Sequence, residues 1–173
     1  PVLDAWRAAG TVGAIGVGIG NPTMLADFAN NADFDCFLVP NCYSLLTFEA
    51  LELLDLCHKK GIRAIAGGVF NGGILAESPS ETSKYNYRQA PPDIIERARQ
   101  LDAVCTYHDV ELRQAALHFV YGHPAVSSVI LGAETPQHVE ANLDLLSATT
   151  PPDLWQALKA SDLLPPSVPV PAA

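Results

Sequence analysis

Hydrophobic and polar positions fall into a repeating order along this chain: a short β-branched or aromatic run, a break rich in Gly or Asn, then a longer stretch with apolar residues three or four positions apart. Short runs of this kind suit buried strands, and the longer stretches suit amphipathic helices. Strand alternating with helix predicts a parallel sheet, because parallel strands need a crossover to bring the chain back to the same end. The first unit has Val12 to Val17 as strand and a break over Gly18-Ile19-Gly20-Asn21-Pro22. Pro22 or Thr23 then opens a helix with Met24, Leu25 and Phe28 on its face. In the second, Phe34 to Val39 is the strand and Pro40-Asn41 the break. Leu51, Leu54 and Cys57 form the buried stripe of a helix stopped at Lys59-Lys60-Gly61, where cations and then Gly suit a helix end.

The third strand, Ile62 to Ala66, runs into Gly67-Gly68-Val69-Phe70-Asn71-Gly72-Gly73, followed by a polar loop from Glu77 to Arg88. Long loops after strands are commonly functional or mobile. Helices are expected from about Pro92 to His108, with Ile94, Ile95, Ala98, Leu101 and Val104 inward, and from about Glu111 to Tyr121. The last unit has Val126 to Leu131 as strand, Gly132-Ala133-Glu134 as turn, and a helix from about Pro136 to Leu146 with Val139, Leu143 and Leu146 inward. Thr135 or Glu134 caps that helix. Residues 1–164 are read as the folded unit and the proline-rich segment 165–173 as an extended or disordered tail. Pro1, Val2, Leu3, Asp4 and Trp6 read as the middle of a helix, so the chain is expected to be an excerpt of a longer one. An α/β class follows, with two architectures open: half of a (β/α)8 barrel or a small doubly wound, flavodoxin-like sheet. Both place ligands at the C-terminal ends of the strands, where the Gly-rich breaks occur.

Charge and composition narrow the partners. Ten Lys plus Arg and a formal charge of −9 leave no cationic cluster for a phosphate backbone or an anionic membrane, so no nucleic acid and no membrane surface is expected. Every apolar run breaks well before the roughly 18 to 20 residues of a membrane span. Cys36, Cys42, Cys57 and Cys105 form no C-x-x-C pair, and His58, His108 and His118 have no ligand spacing. Ordinary thiols, a cytoplasmic setting and no metal site are therefore expected.

Several segments together resemble strands five to eight of the aldo-keto reductase superfamily. They are Ile15-Gly16-Val17-Gly18, Tyr43-Ser44-Leu45-Leu46, Gly61-Ile62-Arg63-Ala64-Ile65-Ala66, and Val129-Ile130-Leu131-Gly132-Ala133 followed by Val139-Glu140-Ala141-Asn142-Leu143. Gly67 to Leu75 and Lys84-Tyr85-Asn86-Tyr87 look most like its aldose 1-dehydrogenase (L-fucose dehydrogenase) and pyridoxal dehydrogenase branch. The resemblance implies a partial (β/α)8 TIM barrel, about strands 5–8 with their helices, from an NAD(P)-dependent enzyme that interconverts alcohol and carbonyl. It places the Asp, Tyr, Lys and His of the active site in the first half of the barrel, upstream of Pro1, so no catalytic residue is assigned here. Tyr43, Tyr85, Lys84 and His123 do not match that tetrad. The missing N-terminal half is the expected partner, and a small sugar or related carbonyl or alcohol the expected substrate. A non-catalytic nucleotide-binding or regulatory subunit on the same fold is the alternative. A half-barrel by itself leaves two sheet edges unpaired, so poor stability in isolation is expected.

The resemblance also implies cofactor positions. Gly132 allows close backbone approach and Asn142 offers an amide to adenine, with Gly132, Ala133, Glu134 and His138 at a helix start that suits an anion. Many NADP-preferring relatives carry Lys or Arg at this turn, whereas here Glu134 either accepts from a ribose hydroxyl or is simply a solvated acid. NAD is accordingly expected over NADP. Gly67, Gly68, Val69, Phe70 and Gly73 would lie beside nicotinamide and pyrophosphate. The aromatic that relatives often place at Gly67 is absent, leaving Phe70 either to stack or to enter the core. Gly18-Ile19 stand where a Ser-Asn pair is common, with Asn21 a possible substitute, and Pro40-Asn41 stand where Gln is frequent. Tyr85 and Tyr87 are candidates to close over substrate or cofactor, or are ordinary surface-loop residues.

Overall fold

Four short strands lie side by side and parallel in the computed structural model, which describes residues 2–172. They are β1 (Gly16–Gly18), β2 (Cys36–Pro40), β3 (Arg63–Gly67) and β6 (Val126–Ile130), in the spatial order β1-β2-β3-β6. The helices between them are α2 (Pro22–Asn31), α3 (Leu51–Lys60), α4 (Pro92–Tyr107) and α5 (Leu112–Val120). Beyond β6 come α6 (Pro136–Ser147) and α7 (Pro152–Ala160), while α1 (Val2–Ala8) precedes β1. This is the partial TIM barrel that the family resemblance implied. Among the described residues β1 and β6 each have one sheet neighbour, so the sheet is open at both edges.

β1 starts later than the expected Val12 because the residues before Gly16 run past the beginning of β2 and find no strand to pair with. Its register with β2 starts at Gly16↔Cys36, and a Cβ on Gly16 would lie 2.4 Å from the Cys36 carbonyl oxygen. β6 is less regular than its sequence suggests. Ala64 pairs with Val126 but Ile65 pairs with Ser128, so Ser127 is an extra residue, and its Oγ donates to the Ala64 carbonyl at 3.4 Å. Such a bulge re-aims the strand after it, and Ile130 ends 54% exposed.

The core lies between the sheet and α2 to α5, closed at one side by α7. Leu25, Phe37, Leu54, Ala64, Ala98, Leu101, Phe119 and Trp155 are all buried. Large apolar side chains at full burial each contribute roughly 1.5–3 kcal/mol. Leu154, Trp155 and Leu158 of α7 recur at helical spacing after Pro151-Pro152-Asp153, so this helix was visible in the sequence although the reading above assigns none there. α1 contributes no buried residue and is held by charge: Arg7 Nη1 lies 2.7 Å from Asp35 Oδ2, which also accepts from the Ile15 amide at 2.7 Å. That amide, and then Arg7, hold the Asp35 carboxyl below its ordinary range. Pro1, where the excerpt reading begins, lies outside the described residues.

α6 departs from expectation. Val139, Leu143 and Leu146 are 48%, 57% and 43% exposed, and the helix buries Leu145 instead. The stripe is apolar, but the sheet ends at β6 and supplies no further surface for it to cover. The segment 165–172 has no helix or strand, and Val168 within it is buried. Burial raises the thiol pKa of Cys57 to about 11 and of Cys105 to about 12. No helix among the described residues is long and apolar enough to cross a membrane.

Candidate functional site

β3 ends at Gly67, and the chain then turns back on itself through Gly68 (φ +65°), Asn71 (φ +48°), Gly72 (φ +78°) and Gly73 (φ +111°). Left-handed backbone is cheap for Gly and tolerated by Asn. Two of these glycines are required by contact as well as by conformation. A Cβ on Gly68 would meet the Asn41 side-chain oxygen at 2.0 Å, and one on Gly72 would meet the amide nitrogens of Asn86 and Tyr87 at 2.9 Å.

The segment is fastened from behind by Asn71, a fully buried side chain that the sequence reading did not single out. Ser44, also fully buried, donates from Oγ to Asn71 Oδ1. Asn71 Nδ2 donates to Asn86 Oδ1 at 3.3 Å, and its carbonyl accepts from the Asn86 amide at 3.0 Å. Asn86 and Tyr87 are the turn of a two-stranded hairpin, β4 (Lys84–Tyr85) and β5 (Arg88–Gln89), all of which but Gln89 falls in the stretch Glu77 to Arg88 expected to be a polar loop. Two consecutive positive φ values, +49° and +67°, are those of the tight turn that matches strand twist. The Asn71-Gly72 dipeptide was the available signal, since Asn-Gly marks a turn.

These elements enclose a cleft of about 460 Å³ at the C-terminal ends of β2, β3 and β6. Gly67, Gly68, Val69, Phe70, Gly72 and Gly73 form one wall, Tyr87 stands on the rim, and Leu131 and Gly132 lie opposite. Phe70 lines the cleft and packs partly against the core. A slightly larger depression of about 510 Å³, lined by Asp102, Asp109, Glu111 and Arg113 among others, lies beside α4 and α5. It shares only Ala76 with the cleft and is lined by no strand residue, so its size gives it no part in a strand-end site.

Beyond Gly132 the turn is solvent-exposed through Ala133 and Glu134. Thr135 caps α6, its Oγ1 accepting from the His138 amide at 3.2 Å, and His138 Nδ1 accepts from the Glu134 amide at 3.3 Å. Asn142 is half-buried one turn further on. From Gly132 to Ser147 there is no Lys or Arg. Gly18 is outside the cleft lining, at the end of the edge strand against the Leu38 side chain. Asn21 is occupied as the cap of α2, its Oδ1 accepting from the Met24 amide at 3.0 Å. Tyr85 lies on the other side of the hairpin from the cleft, half-buried against the core, where burial first and then Glu49 push its phenol above the ordinary value.

A planar polar ligand fits this arrangement on two grounds. The wall is largely bare main chain, which a ring can approach closely. Behind it, Asn41 Oδ1 is buried against Gly68 and has no hydrogen-bond partner among the described residues.

The aldo/keto reductase family model matches residues 1–162. The chain belongs to the aldo/keto reductase family. Pyridoxal 4-dehydrogenase of Microbacterium luteolum is 35% identical over 163 residues, covering 94% of this chain and 48% of that protein. D-threo-aldose 1-dehydrogenase of a Pseudomonas species is 34% identical over 167 residues, covering 95% of this chain and 51% of that protein. The aldo-keto reductase of Bacillus halodurans in its holo form superposes with a TM-score of 0.74 at 19% identity, over 95% of this chain and 55% of that one. The chain thus spans about half the length of the curated relatives it matches. The resemblance to the aldose and pyridoxal dehydrogenase branch stands, and the barrel architecture prevails over the doubly wound sheet.

Proposed function

We propose that the protein carrying this chain is a nicotinamide-dependent oxidoreductase of the cytoplasm that oxidises a small aldose or related alcohol, or reduces the corresponding carbonyl. This half holds the cofactor, and the proton-transferring Asp, Tyr, Lys and His belong to the barrel half that precedes it. The glycine-walled cleft at the strand ends, backed by an unpaired Asn41 oxygen, is the observation that carries the reading. When bound, the nicotinamide supplies or accepts the hydride. Gly67, Gly68, Val69, Phe70 and Gly73 present main chain to it, and Gly18 stands at the neighbouring strand end. Gly132, Ala133, Glu134, His138 and Asn142 line the path to the adenosine end, where the capped start of α6 favours negative charge. The absence of Lys and Arg from that turn and helix, with Glu134 exposed, favours NAD over NADP, since a carboxylate repels a ribose phosphate.

Alone, this chain binds cofactor weakly and performs no turnover. The test begins with the coding sequence upstream of Pro1, read for the four tetrad residues. The intact protein is then titrated with NAD and NADP while cofactor reduction is followed with L-fucose. Faster reduction of NAD supports both the dehydrogenase reading and the role given to Glu134, whereas NADP preference overturns that role. An upstream segment without a tetrad, and no turnover with either cofactor, would instead make the protein a nucleotide-binding or regulatory subunit.

A further inference from the structure

Tyr87 is out of place as a turn residue. It holds φ +67°, a conformation that L side chains other than Asn and Asp rarely adopt, and it leaves an aromatic side chain 80% exposed. Neither cost serves the turn, which Gly would make better. The neighbouring structure nonetheless keeps Tyr87 there. Asn71 binds the preceding residue through both its carbonyl and its side-chain amide, and Gly72 has no side chain, which lets the Asn86 and Tyr87 amides approach closely. Strain that the surroundings maintain points to use. The place it serves is the cleft, where Tyr87 meets a wall built from Gly67, Gly68, Gly72 and Gly73.

A wall rich in glycine and a rim with one large flat side chain make complementary faces for a ring. We propose that Tyr87 is the ring-recognising residue of this cleft, stacking its phenol on the face of a ring, aromatic or pyranose, that lies against the glycine-rich wall, with Asn71 and Ser44 as positioning residues that hold the hairpin there. Tyr85, its neighbour in the hairpin, anchors from the core side and takes no part in the stack. The inference rests on the cleft being the ligand site proposed above. The ring belongs either to the nicotinamide or to the substrate, and the experiment separates them.

Tyr87→Phe and Tyr87→Gly are made in the intact protein. NADH and NADPH binding is followed by nucleotide fluorescence, the KM for L-fucose is measured at saturating cofactor, and thermal melting is recorded for each variant. Tyr87→Gly relieves the positive φ, so it is expected to melt about 2–4 °C higher while binding its ring ligand about ten-fold more weakly. Tyr87→Phe keeps the ring and is expected to bind within about two-fold of the parent. Loss confined to dinucleotide affinity assigns the ring to nicotinamide, and loss confined to KM assigns it to the substrate. Unchanged affinity and KM in Tyr87→Gly overturns the proposal, as does an equal loss in Tyr87→Phe, which would make the hydroxyl the contact. If the parent protein binds neither dinucleotide, the oxidoreductase reading has failed and the stacking inference falls with it. That outcome is visible before any variant is compared.

Discussion

The two loops that frame the cleft are built on opposite principles. The segment after β3 is fastened on its inner side by buried side chains: Ser44 holds Asn71, Asn71 holds Asn86, and Gly72 sits under the hairpin amides. The turn after β6 is exposed from Gly132 to His138 and is held by its own cap, Thr135, and by the His138 ring. A Cβ on Gly72 would meet backbone at 2.9 Å, whereas one on Gly132 would meet nothing within 4 Å. One wall is therefore pre-shaped by the protein. The other is left open on the side where the sheet ends.

The comparison is sharpest at the glycines. Gly72→Ala puts a methyl group against the Asn86 and Tyr87 amides at a φ of +78°, and should cost about 2–4 kcal/mol in denaturant unfolding. A loss below about 1 kcal/mol would show that the hairpin moves away freely and that the wall is not pre-shaped. Asn71→Ala comes next. It leaves the buried Ser44 hydroxyl without its acceptor, for a loss of about 1–3 kcal/mol and increased proteolysis in the hairpin Lys84–Gln89.

Thr135→Ala on the open side removes one cap and should cost about 1 kcal/mol at most, with hydrogen exchange accelerated in the first turn of α6 alone. The smallest effect is expected of Gly132→Ala, within about 0.5 kcal/mol in stability. Weaker dinucleotide binding by that same variant would separate a ligand role from a folding role.

The looseness of the β6 turn does not begin at the root of the strand. His123, just before it, is 1% exposed; its Nδ1 accepts from the Ala125 amide at 3.2 Å, which leaves the Nε2 proton for Asp55 at 3.3 Å. Burial lowers the His123 pKa, and Asp55 opposes that shift in part. A histidine with a depressed folded pKa contributes stability above its unfolded value, and the contribution is lost as pH falls. Unfolding free energy should therefore decline once pH drops below about 6.5, until His123 is protonated in the fold as well. His123→Gln should flatten that decline, and an unchanged profile would assign the proton uptake elsewhere.

Periodicity identified most of the elements because each is long enough to bury one face. α4 was expected over Pro92 to His108 and spans Pro92–Tyr107, α2 starts at the expected Pro22, and α3 ends at Lys60 just before its Gly signal. The same rule failed for α6, where Val139, Leu143 and Leu146 make an apolar stripe that nothing in this sheet covers. A hydrophobic pattern states that a face will be buried, not against which partner.

The amino-acid sequence alone settled the family, the parallel order of strand and helix, and the presence of glycines where strands end, because these follow from local spacing and backbone preference. The tertiary structure decided which of those glycines share a cleft, that Asn71 and Ser44 hold its wall, that Asn41 keeps an unpaired oxygen behind it and that Tyr87 stands on its rim. Such facts depend on contacts between residues far apart in the chain. Ser44 and Asn71 are 27 positions apart, and no local pattern links them until β2 and β3 lie side by side.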